Sequence, residues 1–276
     1  MANDAKIKSR IATLKSLNSI FSAMQVITVA RLSRIKAAQK AAARFRSEAE
    51  EAASYLDKGE KKTGEGAVAA VIVSASRGLC GTFNQDLFFR IQSFLAEHAG
   101  KEVKLFVFGR KGYDFLIGKK REVTEYYPSD ALDSDEVGKL AEKLRDGFRS
   151  GGFSEVYVIY NHFVSAFSRK ATANRLLPFD LAEKAPARDD MIIEPDRKTL
   201  AEKLTLLYIR AMISSAVRES QLGEFSSRMV TLKSAIDNSS DLIDGLTIQR
   251  NKARQQMITQ EILEIVEASE AMKGEK

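Results

Sequence analysis

The chain offers few side chains that could make or break a covalent bond. It holds one cysteine, Cys80, and two histidines, His98 and His162. Nucleophilic catalysis needs a thiol or hydroxyl beside a base that can take its proton. No residue pattern around either histidine sets up such a pair, so Cys80 reads as a quiet thiol. One cysteine excludes an internal disulfide framework and a cysteine-rich zinc site, and two histidines are too few for a histidine cage. The most conspicuous segment is Ser74-Ala75-Ser76-Arg77-Gly78-Leu79-Cys80-Gly81. It follows an apolar run and precedes a helical pattern, which is where open α/β sheets bind phosphates. It lacks both the three-glycine dinucleotide pattern and the Gly-Lys-Ser/Thr ending of a P-loop, and reads as a tight structural turn. The residues themselves therefore predict no catalytic constellation, no cofactor and no metal.

The elements that would position these residues divide the chain in three. At 276 residues, 44% hydrophobic and 29% charged, the composition is that of a folded protein and excludes disorder or a collagen-like fibre. The longest good apolar run, Ala67 to Val73, is far short of the roughly 18 to 20 residues a membrane span needs. All prolines, Pro128, Pro178, Pro186 and Pro195, lie in the middle, and the first glycine is Gly59. Residues 1–58, free of both and rich in helix formers, predict one helix, a rod of about 80 Å at 1.5 Å per residue, most of which must project. Residues 196–276 read the same way, with Asp196 as cap and Gly223 and Gly245 as weak points. There the stripe Leu222, Phe225, Met229, Leu232, Ile236, Ser239, Ile243, Leu246, Arg250, Ala253, Met257 alternates spacings of three and four, the seam of a coiled coil. Ile7, Ile11, Leu14, Leu17, Phe21, Met24, Ile27 and Ile35 form a looser partner stripe, and the simplest pairing of the two helices is antiparallel. Between them, residues 67–195 alternate short apolar runs (67–74, 103–109, 155–163) with helical patterns (84–98, 110–117, 133–149). This predicts an inserted α/β domain with a mostly parallel, Rossmann-like sheet. Residues 170–179 would add an edge strand, the place where Pro178 is tolerated.

Charge is uneven. Residues 1–46 carry ten Lys or Arg against the single acid Asp4, while from Lys198 onward eleven bases balance eleven acids. A basic, acid-poor start has the look of an organelle transit peptide, yet its helical pattern runs on to about Leu56, too far for a removable leader, and no apolar core of a secretory signal is present. A basic helical rod could also bind nucleic acid, but the neutral partner helix and the lack of an aromatic reading surface argue against that. An α/β nucleotide-binding enzyme with helical arms is the other alternative.

Four segments carry a family resemblance: Ile7-Lys8-Ser9-Arg10-Ile11, Ile20-Phe21-Ser22-Ala23-Met24, Arg77-Gly78-Leu79-Cys80-Gly81 with Phe83-Asn84, and Asn251-Lys252-Ala253-Arg254-Gln255-Gln256-Met257-Ile258-Thr259-Gln260-Glu261-Ile262. In this order they resemble the gamma subunit of F-type ATP synthases, the last segment most specifically. The resemblance implies a rotor shaft without chemistry or cofactor of its own, turning inside a head of alpha and beta subunits. It also implies an α/β domain beside the epsilon subunit and the membrane c-ring, and no nucleic-acid partner. The location implied is peripheral, on the cytoplasmic face of a bacterial membrane. Arg254, Gln255 and Thr259 match positions that engage beta, and Arg31 and Met24 are further expected contacts. Arg10, Arg34, Lys36 and Lys40 are weaker candidates for the same acidic loops. Met257, Ile258, Ile262, Leu263, Ile265 and Val266 span most of a helix circumference. The N-terminal helix can cover only one side of them, and the head would supply a bearing for the rest. The chain departs from the family pattern at Ser22, where Lys is usual, at Ser76 in place of Asp, and at Arg250 in place of Tyr. No cysteine pair for redox control is present.

Overall fold

The computed structural model describes residues 2–54, 66–128, 134–178 and 196–273. In chain order the elements are α1 (Ala2–Ser54), β1 (Ala67–Val73), α2 (Phe83–Glu97), β2 (Val103–Phe108), α3 (Arg110–Gly118), β3 (Glu125–Tyr127), α4 (Ser134–Arg149), β4 (Phe153–Phe163), β5 (Arg169–Leu177) and α5 (Arg197–Lys273). They fall into two compact units, one of residues 28–230 and one joining residues 1–27 to residues 231–276.

In the larger unit the sheet runs β3-β2-β1-β4-β5. Strands β1 to β4 are parallel, and β5 closes the edge antiparallel to β4. The alternation of strand residues assigns each to one of two cores, because successive side chains point to opposite faces. Ala69, Val71, Val73, Val156 and Val158 pack against Leu140 and Leu144 of α4 and Tyr208, Ile209 and Ile213 of α5. Val68, Ala70, Ile72 and Val107 pack against Leu87, Ile91 and Phe94 of α2 and Leu116 of α3. Burying a side chain of this size stabilises by about 1.5–3 kcal/mol, and a sheet covered on both faces explains why β1 is an unbroken apolar run.

The mostly parallel sheet and the edge strand agree with the sequence reading, and α5 begins as expected. Asp196 Oδ1 accepts a hydrogen bond from the Thr199 N–H at 2.9 Å, a side-chain N-cap. Strand β5 ends at Leu177, directly before Pro178, and Phe179 lies outside the described residues, as do residues 55–58 of the expected first helix. The three-residue strand β3 was not anticipated: Glu125, Tyr126 and Tyr127 carry no apolar run, and only their pairing with Phe106 to Phe108 makes them a strand. Gly223 of α5 faces the Phe83 ring. A Cβ there would stand 3.2 Å from the Phe83 ring, so glycine permits close helix packing.

In the smaller unit α1 and α5 pair antiparallel. Asn18 Nδ2 donates to Ser240 Oγ at 3.0 Å, and Arg250 Nε stands 3.7 Å from Asp4 Oδ1, so rising numbers on one helix meet falling numbers on the other. The less exposed residues of α1 here are Asp4, Ile7, Ile11, Leu14, Asn18, Phe21, Met24 and Gln25. This corrects the expected stripe at two places: Leu17 is 39% and Ile27 57% exposed. A strict three-four alternation from Ile11 and Leu14 reaches Asn18, and apolar character alone pointed to the wrong neighbour. On α5 Leu232 and Ser239 are buried and Ile236, Ile243, Leu246, Arg250, Ala253 and Met257 half-buried, as the expected seam requires, and Ala235, Ser240 and Thr247 beside it are half-buried too.

Candidate functional site in the loop and on the paired helices

Protein groups hold the loop 74–81 at its start and at its middle. Ser74 Oγ accepts the Gly112 N–H at 2.8 Å and lies 3.0 Å from the carbonyl oxygens of Phe108 and Gly109. Gly109, at φ +91°, crosses so close that a Cβ would sit 2.2 Å from Ser74 O, so only glycine fits. On the far side Arg228 donates Nε to Gly78 O at 3.2 Å and Nη2 to Arg77 O at 3.3 Å. Its guanidinium also pairs with Glu224 at 2.6 Å, and both residues are buried. Cys80 is buried, and burial together with the Glu224 charge pushes its thiol up despite the opposing Arg228. A thiol held protonated is a poor nucleophile.

The two histidines are tied into structure at opposite ends of β4. His98 Nδ1 lies 2.8 Å from Phe94 O, and its ring packs at 4.3 Å from the Phe94 ring. Nearby Glu155 is partly buried, which alone would raise its carboxyl, but the Lys101 ammonium at 3.0 Å outweighs this and holds it below the usual carboxylate range. His162 Nδ1 lies 2.6 Å from Glu219 Oε1, which also accepts the Phe163 N–H at 3.1 Å. The Cys80 sulfur instead meets Asn84 Nδ2 at 3.5 Å and Arg77 O at 3.8 Å.

The predicted contact residues lie on exposed helical surface. Arg254, Gln255 and Thr259 are all exposed on α5. The Thr259 hydroxyl donates to Gln255 O at 2.9 Å, which leaves its oxygen lone pairs facing outward. Met24 is half-buried in the same unit, while Arg31 is exposed and belongs to the other unit. The apolar residues of the last turns are the more informative. Ile258, Ile262, Leu263, Ile265 and Val266 are 46–69% exposed, and only Met257 is half-buried. For all but Met257 this corrects the expectation that α1 covers one side of them. Near the start of α1, Asp4 lies 3.7 Å from Arg250, about two turns before them. Every side of residues 258–269 is exposed.

Two seam residues escaped the sequence reading. Asn18 and Ser240 place a hydrogen bond at a position normally apolar, and the signal was the heptad count from Leu14. Arg250, which replaces the family's Tyr, uses its charge across the seam toward Asp4. The neighbouring Ser22 lines a polar groove with Lys15, Asn18, Ser19 and Asp244.

The family model described as ATP synthase matches residues 3–272. The ATP synthase gamma chain of Flavobacterium psychrophilum is 34% identical, covering 99% of this chain and 100% of its own. That of Geotalea uraniireducens is 32% identical with the same coverage. Among solved structures, a chain of the Euglena gracilis mitochondrial ATP synthase (OSCP/F1/c-ring, rotational state 3) superposes with a TM-score of 0.71 at 17% identity, covering 100% of this chain and 96% of that one. The likeness extends over both helical ends and the sheet alike, and the chain belongs to the ATP synthase gamma-chain family, whose members form the non-catalytic central stalk of that enzyme.

Proposed function

We propose that the paired helices of residues 2–27 and 231–273 turn as a shaft within a head of alpha and beta subunits, on the cytoplasmic face of a bacterial membrane. The α/β unit stands beside the epsilon subunit and the c-ring. In this reading Arg254, Gln255 and Thr259, with Arg31 and Met24, meet the beta subunits, and Met257, Ile258, Ile262, Leu263, Ile265 and Val266 run in the bearing. The chain transmits torque and leaves the chemistry to sites built by other subunits. Coupling requires that the shaft contact one beta conformation more favourably than another, since only a difference in binding can shift an equilibrium. The exposed basic residues Arg10, Arg31, Arg34, Lys36 and Lys40 suit this, because charge attracts acidic loops without the tight packing that would block rotation.

The observation that carries the reading is the exposure of the last turns. A helix end that leaves Ile258, Ile262, Leu263, Ile265 and Val266 all exposed is incomplete by itself. Arg254 and Gln255 stand directly before the apolar turns and Thr259 within them, so one sleeve would take both. Amide exchange tests this. Residues 257–266 are expected to exchange freely in the isolated chain and to become protected on assembly with alpha and beta subunits. Equal protection in the monodisperse isolated chain would sink the bearing assignment.

A further inference from the structure

At the end of the sheet where β1 and β2 start, α2 and α3 enclose a cleft of about 570 Å³. It lies at the opposite end of the parallel strands from loop 74–81. Open α/β sheets take ligands at the carboxyl ends of their strands, but in this chain that position is filled by Ser74, Gly109 and the Arg228 contacts. The free volume is at the other end, and its size suits a small-molecule site, for which about 300–1,000 Å³ is usual.

The chemistry of the cleft is two-sided. Its floor is apolar, with Leu95, Val103, Leu105 and Phe115, and the Phe115 ring is fixed by stacking on Phe88 at 4.1 Å. One rim carries three cations in a row, Lys119, Lys120 and Arg121, followed by the single carboxylate Glu122, and among the described residues no ion pair joins any of the three to a carboxylate. The remaining lysine of the cleft, Lys101, is already paired with Glu155 at 3.0 Å. A single cation near the last carbonyls of α3 would satisfy the helix dipole, whose influence fades within a turn. Three adjacent like charges exceed that need and repel one another. Lys120 also occupies the left-handed position after a helix, at φ +56°, where glycine is favoured.

We propose that this cleft binds a phosphate ester that carries an apolar group. The phosphate dianion lies against Lys119, Lys120 and Arg121, which relieves their mutual repulsion, and the apolar part lies on Phe115 and Leu105. Two sources offer this chemistry, the headgroup and first acyl carbons of an anionic phospholipid and a soluble nucleotide. The site is independent of the shaft reading, since it uses none of the residues assigned to the head.

The test is calorimetric titration of the full 276-residue chain with dihexanoylphosphatidate, with ATP and with inorganic phosphate. One saturable site is expected for one of the two esters, and which ester binds identifies the source. Binding is expected to fall at least ten-fold in the Lys119→Gln, Lys120→Gln, Arg121→Gln variant. Lys120→Gly guards against loss of fold. It relieves the left-handed strain, so it is expected to melt no lower than the parent and still to bind several-fold more weakly. Absence of saturable binding of both esters would overturn the proposal, as would affinity unchanged in both variants. Inorganic phosphate binding as tightly as the esters would overturn it too, because the apolar floor would then take no part.

Discussion

The sheet-bearing unit and the far end of α5 are made of similar residues and reach opposite ends. In the first, every residue from Val68 to Val73 is buried on one face or the other, and even the charged Glu224 and Arg228 find each other inside. In the second, five aliphatic residues lie open along α5, and no element among the described residues covers them. A region that satisfies its own apolar surface is a scaffold. One that leaves it open, within a family of rotor subunits, is defined by what it meets. The contrast is testable by substitution, because the two regions should respond to it differently.

The largest effect is expected inside the scaffold. Arg228→Ala removes the guanidinium that pairs with the buried Glu224 and that donates to the carbonyls of Arg77 and Gly78, and breaking a buried pair in this way costs about 3–5 kcal/mol. Replacing both Arg228 and Glu224 with leucine is expected to recover most of that loss, since an apolar pair needs no desolvated charge. Urea unfolding of the two variants decides this. A single variant costing under about 1 kcal/mol would mean that the ion pair does not hold the loop.

Next comes a pH effect in the same unit. Burial pushes the Tyr208 phenol up to about 12, with Glu50 adding to the shift and Arg46 opposing it. A group whose folded-state pKa is raised contributes stability that is complete below its unfolded value near 10 and is lost as pH rises through the folded value. Stability should therefore fall between about pH 10 and 12. Tyr208→Phe should remove up to about 2–3 kcal/mol of that fall. Tyr160, also raised by burial, is the source of part of what remains. An unchanged alkaline limb in Tyr208→Phe would show that the phenol is not buried in the folded state.

The sequence disclosed these two regions unequally, for physical reasons. The sheet was legible because strands buried on both faces are unbroken apolar runs, and α5 because a cap and a regular seam mark its start and path. The short strand β3 was not, since Glu125-Tyr126-Tyr127 is a strand only by virtue of its neighbour. On α1 the stripe slipped to Leu17 and Ile27 because apolar residues also line its exposed side, at Ile20 and Val26 for example. A chain whose outer surface is apolar cannot be phased by hydrophobicity alone. The contact residues were visible only through the resemblance, because Arg254, Gln255 and Thr259 have no pattern that folding requires.

That slip yields a smaller prediction. Leu14 is half-buried on the seam and Leu17 is 39% exposed beside it. Leu14→Ala should destabilise the paired helices by about 1–2 kcal/mol through lost apolar burial, whereas Leu17→Ala should stay within about 0.5 kcal/mol. Equal losses in thermal melts would restore the sequence-based stripe and undo the assignment of Asn18 to the seam.

The smallest effect on folding is expected where the proposed effect on function is greatest. Gln255 and Thr259 are exposed, and the recorded bond of Thr259 is to the carbonyl one turn back in its own helix. Gln255→Ala with Thr259→Ala should therefore leave the melting of the isolated chain unchanged within about 0.5 kcal/mol. In the assembled enzyme each side chain would lose a hydrogen bond of about 0.5–1.5 kcal/mol to a beta subunit, and these contacts are the ones proposed to differ between beta conformations. Coupled ATP turnover should then fall while assembly of the head is weakened only slightly. The two measurements separate the regions: loss of fold with loss of coupling would place these residues in the scaffold, and full activity would return them to ordinary solvent-exposed surface.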